Sequence, residues 1–274
     1  MKKIILKKMQ NIFTKLRMIN DLSNIILKYL TKSHINLLNN KKNINVRTII
    51  NYDPKLMVSI ENKLDQFQIL AQCAKYGKLE NMKWLLKKDG KYLYHHNVFT
   101  NAAENGNLEN MKWLLKKGIT FDAFTSSRAA RRGILKNMKW LYKNKCPFNE
   151  HTFKYASRRG ILKNMKWLLK IKCPFDSYTF AYAAENGNLE NMKWLLRKGF
   201  PYDKTTFSHA ASNGNLENMK WLLSNNFPYD EMVIENLPEN ANAKVVKYLV
   251  DNNFPYYEYD KKKLKKLLGK RKLE

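Results

Sequence analysis

Between residues 68 and 258 the apolar and polar positions of this chain recur with a fixed period. The segment Asn-Met-Lys-Trp-Leu occurs six times, at 81–85, 110–114, 137–141, 164–168, 191–195 and 218–222. Six glycines keep step with it, at Gly77, Gly106, Gly133, Gly160, Gly187 and Gly214; the first interval is 29 residues and the other four are 27. One copy, residues 178–204, contains two stretches with helical spacing. "YTFAYAAEN" predicts a short helix, with Asp176 as its N-cap and Gly187 ending it in the left-handed conformation. Asn188 then caps a second helix that carries Leu189, Met192, Leu195 and Leu196 on one stripe and Trp194 beside it. Gly199 ends that helix and Pro201 prevents its continuation. A seventh copy has Ala241 in the glycine slot and Tyr248 in the tryptophan slot, and little else of the signature. Terminal copies of stacked arrays diverge in this way because one of their faces meets water.

Helices of about eight to eleven residues are marginal alone in water, so each pair must bury its apolar stripe against neighbouring pairs. The small pairs Ala102–Ala103, Ala129–Ala130, Ala183–Ala184 and Ala210–Ala211 let adjacent first helices approach closely. The recurring Trp84, Trp113, Trp140, Trp167, Trp194 and Trp221 are then expected in the core with the leucines of the second helices. The prediction is an all-α, helix-turn-helix repeat solenoid, elongated and curved, over residues 68–258. A helical N-terminal region at 1–67 precedes it, and a basic tail or capping helix at 259–274 follows.

The order of the signature, "TFxxAAENGNLENMKWLLKKG", resembles the ankyrin repeat, whose helix pair carries an alanine pair, then glycine, then a leucine-rich second helix ending at glycine. The resemblance covers residues 68–258. Ankyrin repeats run to about 33 residues, so each copy here is some six residues short, mostly in the hairpin that leads into the first helix. Short repeats rich in Lys, Asn and Trp resemble those of ankyrin-repeat proteins encoded by giant DNA viruses of amoebae. The resemblance implies a non-enzymatic protein-binding scaffold, with partner contacts at the variable positions of the first helix. Five residues before each glycine these are Asn101, Arg128, Tyr155, Tyr182 and His209.

Charge adds a second pattern. The 274 residues carry a formal net charge of +28, from 51 Lys and Arg against 23 Asp and Glu, which points to anionic partners. Lysine and asparagine have A/T-rich codons, so genome composition accounts for part of that charge, and the arginines are more informative. In blocks of 27 from residue 97 the net charges are 0, +6, +6, +1, −2 and −2. The two most basic blocks hold Arg128, Arg131, Arg132, Arg158 and Arg159, and read "RRGILKN" where others read "ENGNLEN". Arginine forks grip carboxylates and phosphates in pairs. Arg128, Arg131, Arg132, Lys154, Tyr155, Arg158, Arg159, Tyr182 and His209 are therefore the candidate partner-binding residues, for an acidic protein surface. The identity of 131–141 with 158–168 also fits one drifted copy that was duplicated. A basic protein associated with nucleic acid is the alternative reading.

No catalytic constellation, phosphate loop, cofactor motif or metal-ligand spacing stands out, and no enzyme is expected. Cys73, Cys146 and Cys173 form no CxxC or Cys/His cluster and suit a reducing compartment. Cys146 and Cys173 lie in equivalent loops on copies about 8–10 Å apart, too far for a disulfide, and read as small buried residues. The apolar runs are too short for a signal peptide or membrane span. A monomer inside the cell, cytoplasmic or nuclear (of the host, if viral), is expected. Residues 18–30, "MINDLSNIILKYL", resemble the start of an F-box, which would dock a ubiquitin ligase and make the repeats its substrate reader; a helix capping the open end of the stack is the plainer reading. At the other end Leu264, Leu267 and Leu268 lie at helical spacing.

Overall fold

A computed structural model describes residues 66–76, 79–88, 97–122 and 124–269. The F-box-like segment at 18–30 and nearly all of the region 1–67 lie outside the described residues, as do Gly77 and the basic end beyond Gly269. Among the described residues there are fifteen helices and no strand. The chain divides into two compact units, Met1–Asp122 and Ala123–Glu274.

In the first unit two helix pairs are described: α1 (Gln66–Tyr76) with α2 (Leu79–Lys88), and α3 (Asn97–Asn105) with α4 (Leu108–Lys116). Helix α1 packs along α3. Two side-chain amides tie them: Asn101 Nδ2 donates to the Ala71 carbonyl at 3.1 Å and Asn105 Nδ2 to the Lys75 carbonyl at 3.0 Å. Phe99 and Leu114 are fully buried, and Phe121 meets Phe99 edge-on at 5.4 Å.

The second unit repeats the same pair four times. The first helices are α5 (Thr125–Arg132), α7 (Glu150–Arg159), α9 (Ser177–Asn186) and α11 (Lys204–Asn213). Their partners are α6 (Leu135–Lys143), α8 (Leu162–Lys170), α10 (Leu189–Arg197) and α12 (Leu216–Ser224). Consecutive first helices make the most extensive contacts in the unit. The alanine pairs explain this, since Ala129, Ala130, Ala183, Ala184, Ala210 and Ala211 are all buried where the backbones approach. The remaining core is filled by Phe153, Phe180 and Phe207 of the first helices, and by Met138, Met165, Met192 and Met219 with Leu141, Leu168, Leu195 and Leu222 of the second.

The tryptophans take a different place from the one their periodicity suggested. Only Trp194 is buried, at 6% exposure, while Trp84, Trp113, Trp140, Trp167 and Trp221 are half-buried at the margin of the core. Trp194 and Trp221 pack against the phenylalanine of the loop that follows their own helix, and Trp167 packs against the preceding copy. Trp167 meets Phe148 and Tyr142, both at 5.9 Å, and Trp221 meets Phe227 at 5.6 Å.

Buried asparagines hold the copies in register. Asn164, Asn191 and Asn218, the first residues of their Asn-Met-Lys-Trp-Leu segments, are almost wholly buried. Each donates from Nδ2 to a glycine carbonyl of the preceding copy: Asn164 to Gly133 at 2.8 Å, Asn191 to Gly160 at 2.8 Å and Asn218 to Gly187 at 2.7 Å. A buried carbonyl left unpaired is costly, so these bonds complete the turn between the two helices of the neighbouring copy. The turns require glycine twice over. Gly160 and Gly187 have φ of +77° and +82°, and a Cβ on either would collide with Asn186 or Asn213 of the following copy.

Each second helix of the second unit is followed by another left-handed residue: Gly199 in one copy, but Lys145, Lys172, Asn226 and Asn253 in the others, at φ of 66°, 57°, 55° and 56°. A short loop then leads to the next first helix without a strand, as the missing hairpin residues require. In these loops Cys146, Cys173, Phe200, Phe227 and Phe254 are buried. Phe175 packs on Phe200 at 4.2 Å, Tyr202 on Phe227 at 4.1 Å and Tyr229 on Phe254 at 4.2 Å, so each loop leans on the next. All three cysteines are buried and in the thiol form. Burial pushes the Cys73 and Cys173 thiols up to about 12, Cys173 with a smaller contribution from the Glu150 carboxylate.

The seventh copy is reduced. Its first helix, α13 (Met232–Glu235), is a single turn, followed by α14 (Ala243–Asp251). Helix α15 (Asp260–Leu268) covers that end through the buried Leu264. Lys263 Nζ donates to the Ile234 and Glu235 carbonyls at 3.3 and 2.7 Å, satisfying the open end of α13.

Candidate functional site

The candidate residues all lie in the second unit, on α5, α7, α9 and α11. Capping fixes where these helices start. Asn149 and Thr152 form a reciprocal capping box at α7, and the Asp203 carboxylate accepts from the Thr205 amide at 2.8 Å at α11. Burial raises the affinity of Asp203 for a proton, but hydrogen bonds from Ser177 and Thr205 outweigh it and hold the carboxyl below its ordinary range. Asp176 occupies the N-cap of α9 in extended geometry, yet its side chain makes no cap bond; it pairs instead with Lys154 of the preceding copy, at 2.9 Å. The expected Asp176 cap is thus positional only.

That pairing turns Lys154 inward. Its side chain is only 12% exposed, and its ammonium group also lies 4.9 Å from the Tyr178 ring. Tyr155, Tyr182 and His209 form a row across α7, α9 and α11. The two tyrosines stack at 6.1 Å and Tyr182 meets His209 edge-on at 5.4 Å. Beside that row Glu185 accepts from Arg158 and lies 3.2 Å from His209 Nδ1, while the Arg158 guanidinium lies 5.5 Å from the Tyr182 ring. Arg158 is therefore held in a fixed orientation while 47% of its side chain stays in solvent.

Arg131, Arg132, Arg158 and Arg159 are exposed at the C-terminal ends of α5 and α7, and Arg128 is half-buried one turn earlier. Cations at a helix C-terminus are favoured by the helix dipole. The second helices that follow add Lys136, Lys139, Lys163 and Lys166, all exposed. Elsewhere the equivalent positions neutralise one another, as in the Glu109–Lys112 pair at 2.8 Å in the first unit. A shallow depression between α8 and α10 is lined by Lys166, Leu169, Lys170, Trp194 and Lys198. Among the described residues no group of three His, Cys, Asp or Glu could hold a metal ion, and no helix is long and apolar enough to cross a membrane.

A family model described as ankyrin repeats (3 copies) matches residues 127–232. Ankyrin repeats are present in this chain. The match begins within α5 and ends at the start of α13, so it coincides with the four regular helix pairs of the second unit. No curated protein matches the chain by sequence. Ankyrin repeats generally mediate protein–protein interaction, and proteins built of them are typically non-enzymatic scaffolds.

Two features of the ankyrin-repeat surface escaped sequence reasoning. The Arg158–Glu185–His209 contacts run between copies, and pairing at 27 and 24 residues' separation has no local signature. The exposure of Ile134 and Ile161, 37% each, was also missed, although their replacement of Asn at the N-cap of the second helix was visible in the "RRGILKN" motif.

Proposed function

We propose that this chain is a binding scaffold that engages an acidic partner protein through the exposed side of the first helices of its second unit, centred on α5 and α7. The observation that carries this reading is the placement of Arg131, Arg132, Arg158 and Arg159. All four are in solvent, on adjacent copies, at the same two helical positions, within the two blocks of net charge +6. Arginine is enriched and lysine depleted at protein interfaces, and its planar fork matches a carboxylate. The Tyr155–Tyr182–His209 row continues the surface with rings already ordered by stacking, which lowers the entropy lost on binding. Lys154 contributes by fixing Asp176 and Tyr178 rather than by reaching the partner.

The test compares the parent with a variant carrying Gln at positions 131, 132, 158 and 159, in a lysate pull-down with and without nuclease. A discrete protein retained by the parent after nuclease and lost by the variant is the expected outcome. Loss of nuclease-sensitive material alone would instead support nucleic-acid association, the reading favoured by the net charge of +28. The ligase-adaptor reading rests on residues 18–30 and is tested separately, by whether residues 1–67 retain a ubiquitin-ligase core.

A further inference from the structure

The turns between first and second helices differ between the basic copies and their neighbours in a way that the fold does not require. Residues 131–134 and 158–161 both read Arg-Arg-Gly-Ile, whereas the equivalent stretches 185–188 and 212–215 read Glu-Asn-Gly-Asn and Ser-Asn-Gly-Asn. Both asparagines of the latter turns have structural partners. Asn186 Nδ2 donates to the Arg158 carbonyl at 3.1 Å and Asn213 Nδ2 to the Glu185 carbonyl at 3.2 Å. Asn188 caps α10 by accepting from the Asn191 amide at 3.2 Å, and Asn215 caps α12 through the Glu217 and Asn218 amides at 3.0 and 3.3 Å.

The basic copies lack both devices. Arg132 and Arg159 replace the asparagines that bond to the preceding copy, and both are exposed. Ile134 and Ile161 replace the capping asparagines, so α6 and α8 begin with no side-chain cap. The two turns also touch. A Cβ built on Gly133 would come within 2.8 Å of Ile161 Cδ1 and 2.9 Å of Arg159 Cγ, so the second turn sits directly over the first. The result is a continuous surface in which two partly exposed aliphatic side chains are interspersed with four guanidinium groups.

Resting on the reading above, that the partner is an acidic protein, we infer that the paired Arg-Arg-Gly-Ile turns dock an acidic segment that carries aliphatic side chains. Arg131, Arg132, Arg158 and Arg159 pair its carboxylates, and Ile134 and Ile161 receive its apolar side chains. An apolar centre rimmed by Arg is the anatomy of a protein interface. Single-stranded nucleic acid is held instead by a positively charged groove with aromatic stacking platforms; the arginines would serve either ligand, but isoleucine offers neither a positive charge nor a stacking face.

The experiment measures fluorescence anisotropy of the full chain with three probes: a labelled peptide of Glu-Leu-Asp triplets, the same peptide with Ser for every Leu, and a DNA duplex of equal charge. The parent is expected to bind the Leu peptide about ten-fold more tightly than the Ser peptide. Ile134→Asn with Ile161→Asn, which restores the cap found in the other copies and therefore keeps the fold, should bring the two peptides together without weakening the Ser peptide. Replacing the four arginines with Gln should abolish binding of both. Equal binding of the two peptides by the parent overturns this inference and leaves the acidic-partner reading in place. Tighter binding of the duplex than of either peptide, or no binding of any probe, overturns both, the last outcome leaving a duplicated drifted copy as the origin of the motif.

Discussion

Residues 124–177 and 178–231 build the same pairs of helices with the same period, but they satisfy their polar groups differently. In the later copies every helix-connecting turn is completed by side chains: asparagine caps the second helix, and a second asparagine reaches back to the preceding turn. The earlier copies share the buried bonds, from Asn164 and Asn191 to the carbonyls of Gly133 and Gly160, but give the outer positions to arginine and isoleucine. The shared features are thus the framework, and the features that differ are free to serve binding.

The largest effect should come from breaking the framework. Trp194→Ala empties a buried site and should cost roughly 3–5 kcal/mol, whereas Trp167→Ala, at a half-buried ring, should cost clearly less; urea unfolding of the two variants ranks them. Asn191→Ala leaves the Gly160 carbonyl without its donor and should cost about 1–3 kcal/mol, read in the same assay. An unchanged unfolding midpoint in Asn191→Ala would contradict the framework role of Asn191. Exchanging the caps should act in opposite directions: Ile161→Asn should stabilise, and Asn188→Ile destabilise, by about 0.5–2 kcal/mol. Lys172→Gly relieves a left-handed lysine at the position where Gly199 already stands, and should gain up to about 1 kcal/mol, visible as a rise in Tm.

The smallest effect concerns Cys173, which fills the position that Phe200 fills in the next copy. Burial raises its folded-state thiol to about 12, from an ordinary value of 9.0. The stability it contributes is therefore complete below pH 9 and is lost as pH rises from there towards 12. The folded chain should react with a thiol reagent at pH 8 only as fast as it opens, and immediate labelling would place Cys173 at the surface.

The sequence made some of this legible and concealed the rest for physical reasons. Period, helix pairs and glycine turns were readable because backbone conformation is local: Gly187 and Asn188 declare the end of one helix and the start of the next within two residues. Recurrence and size both place the tryptophans in the core, yet only Trp194 of the six is buried there, and methionine and leucine fill the second-helix side of the other copies. Nothing local marks Asn164, Asn191 and Asn218 as buried. A polar residue reads as surface, and its only justification for burial is a carbonyl 31 residues earlier in the chain. Of the candidate site, the charge was visible but its direction was not. Lys154 and Arg158 lie one turn apart on α7, yet the lysine is drawn in by Asp176 and the arginine held out between Glu185 and Tyr182.

The buried asparagine bonds also have a polarity. Asn164 reaches back to Gly133, Asn191 to Gly160 and Asn218 to Gly187, in each case from the later copy to the earlier one. A ribosome delivers the chain in that same order. Each amide that must be buried emerges after the carbonyl that will receive it, so a nascent copy docks on a surface already formed and need not wait for one still to be translated. Assembly can proceed vectorially, one pair of helices at a time, with each new pair templated by its predecessor.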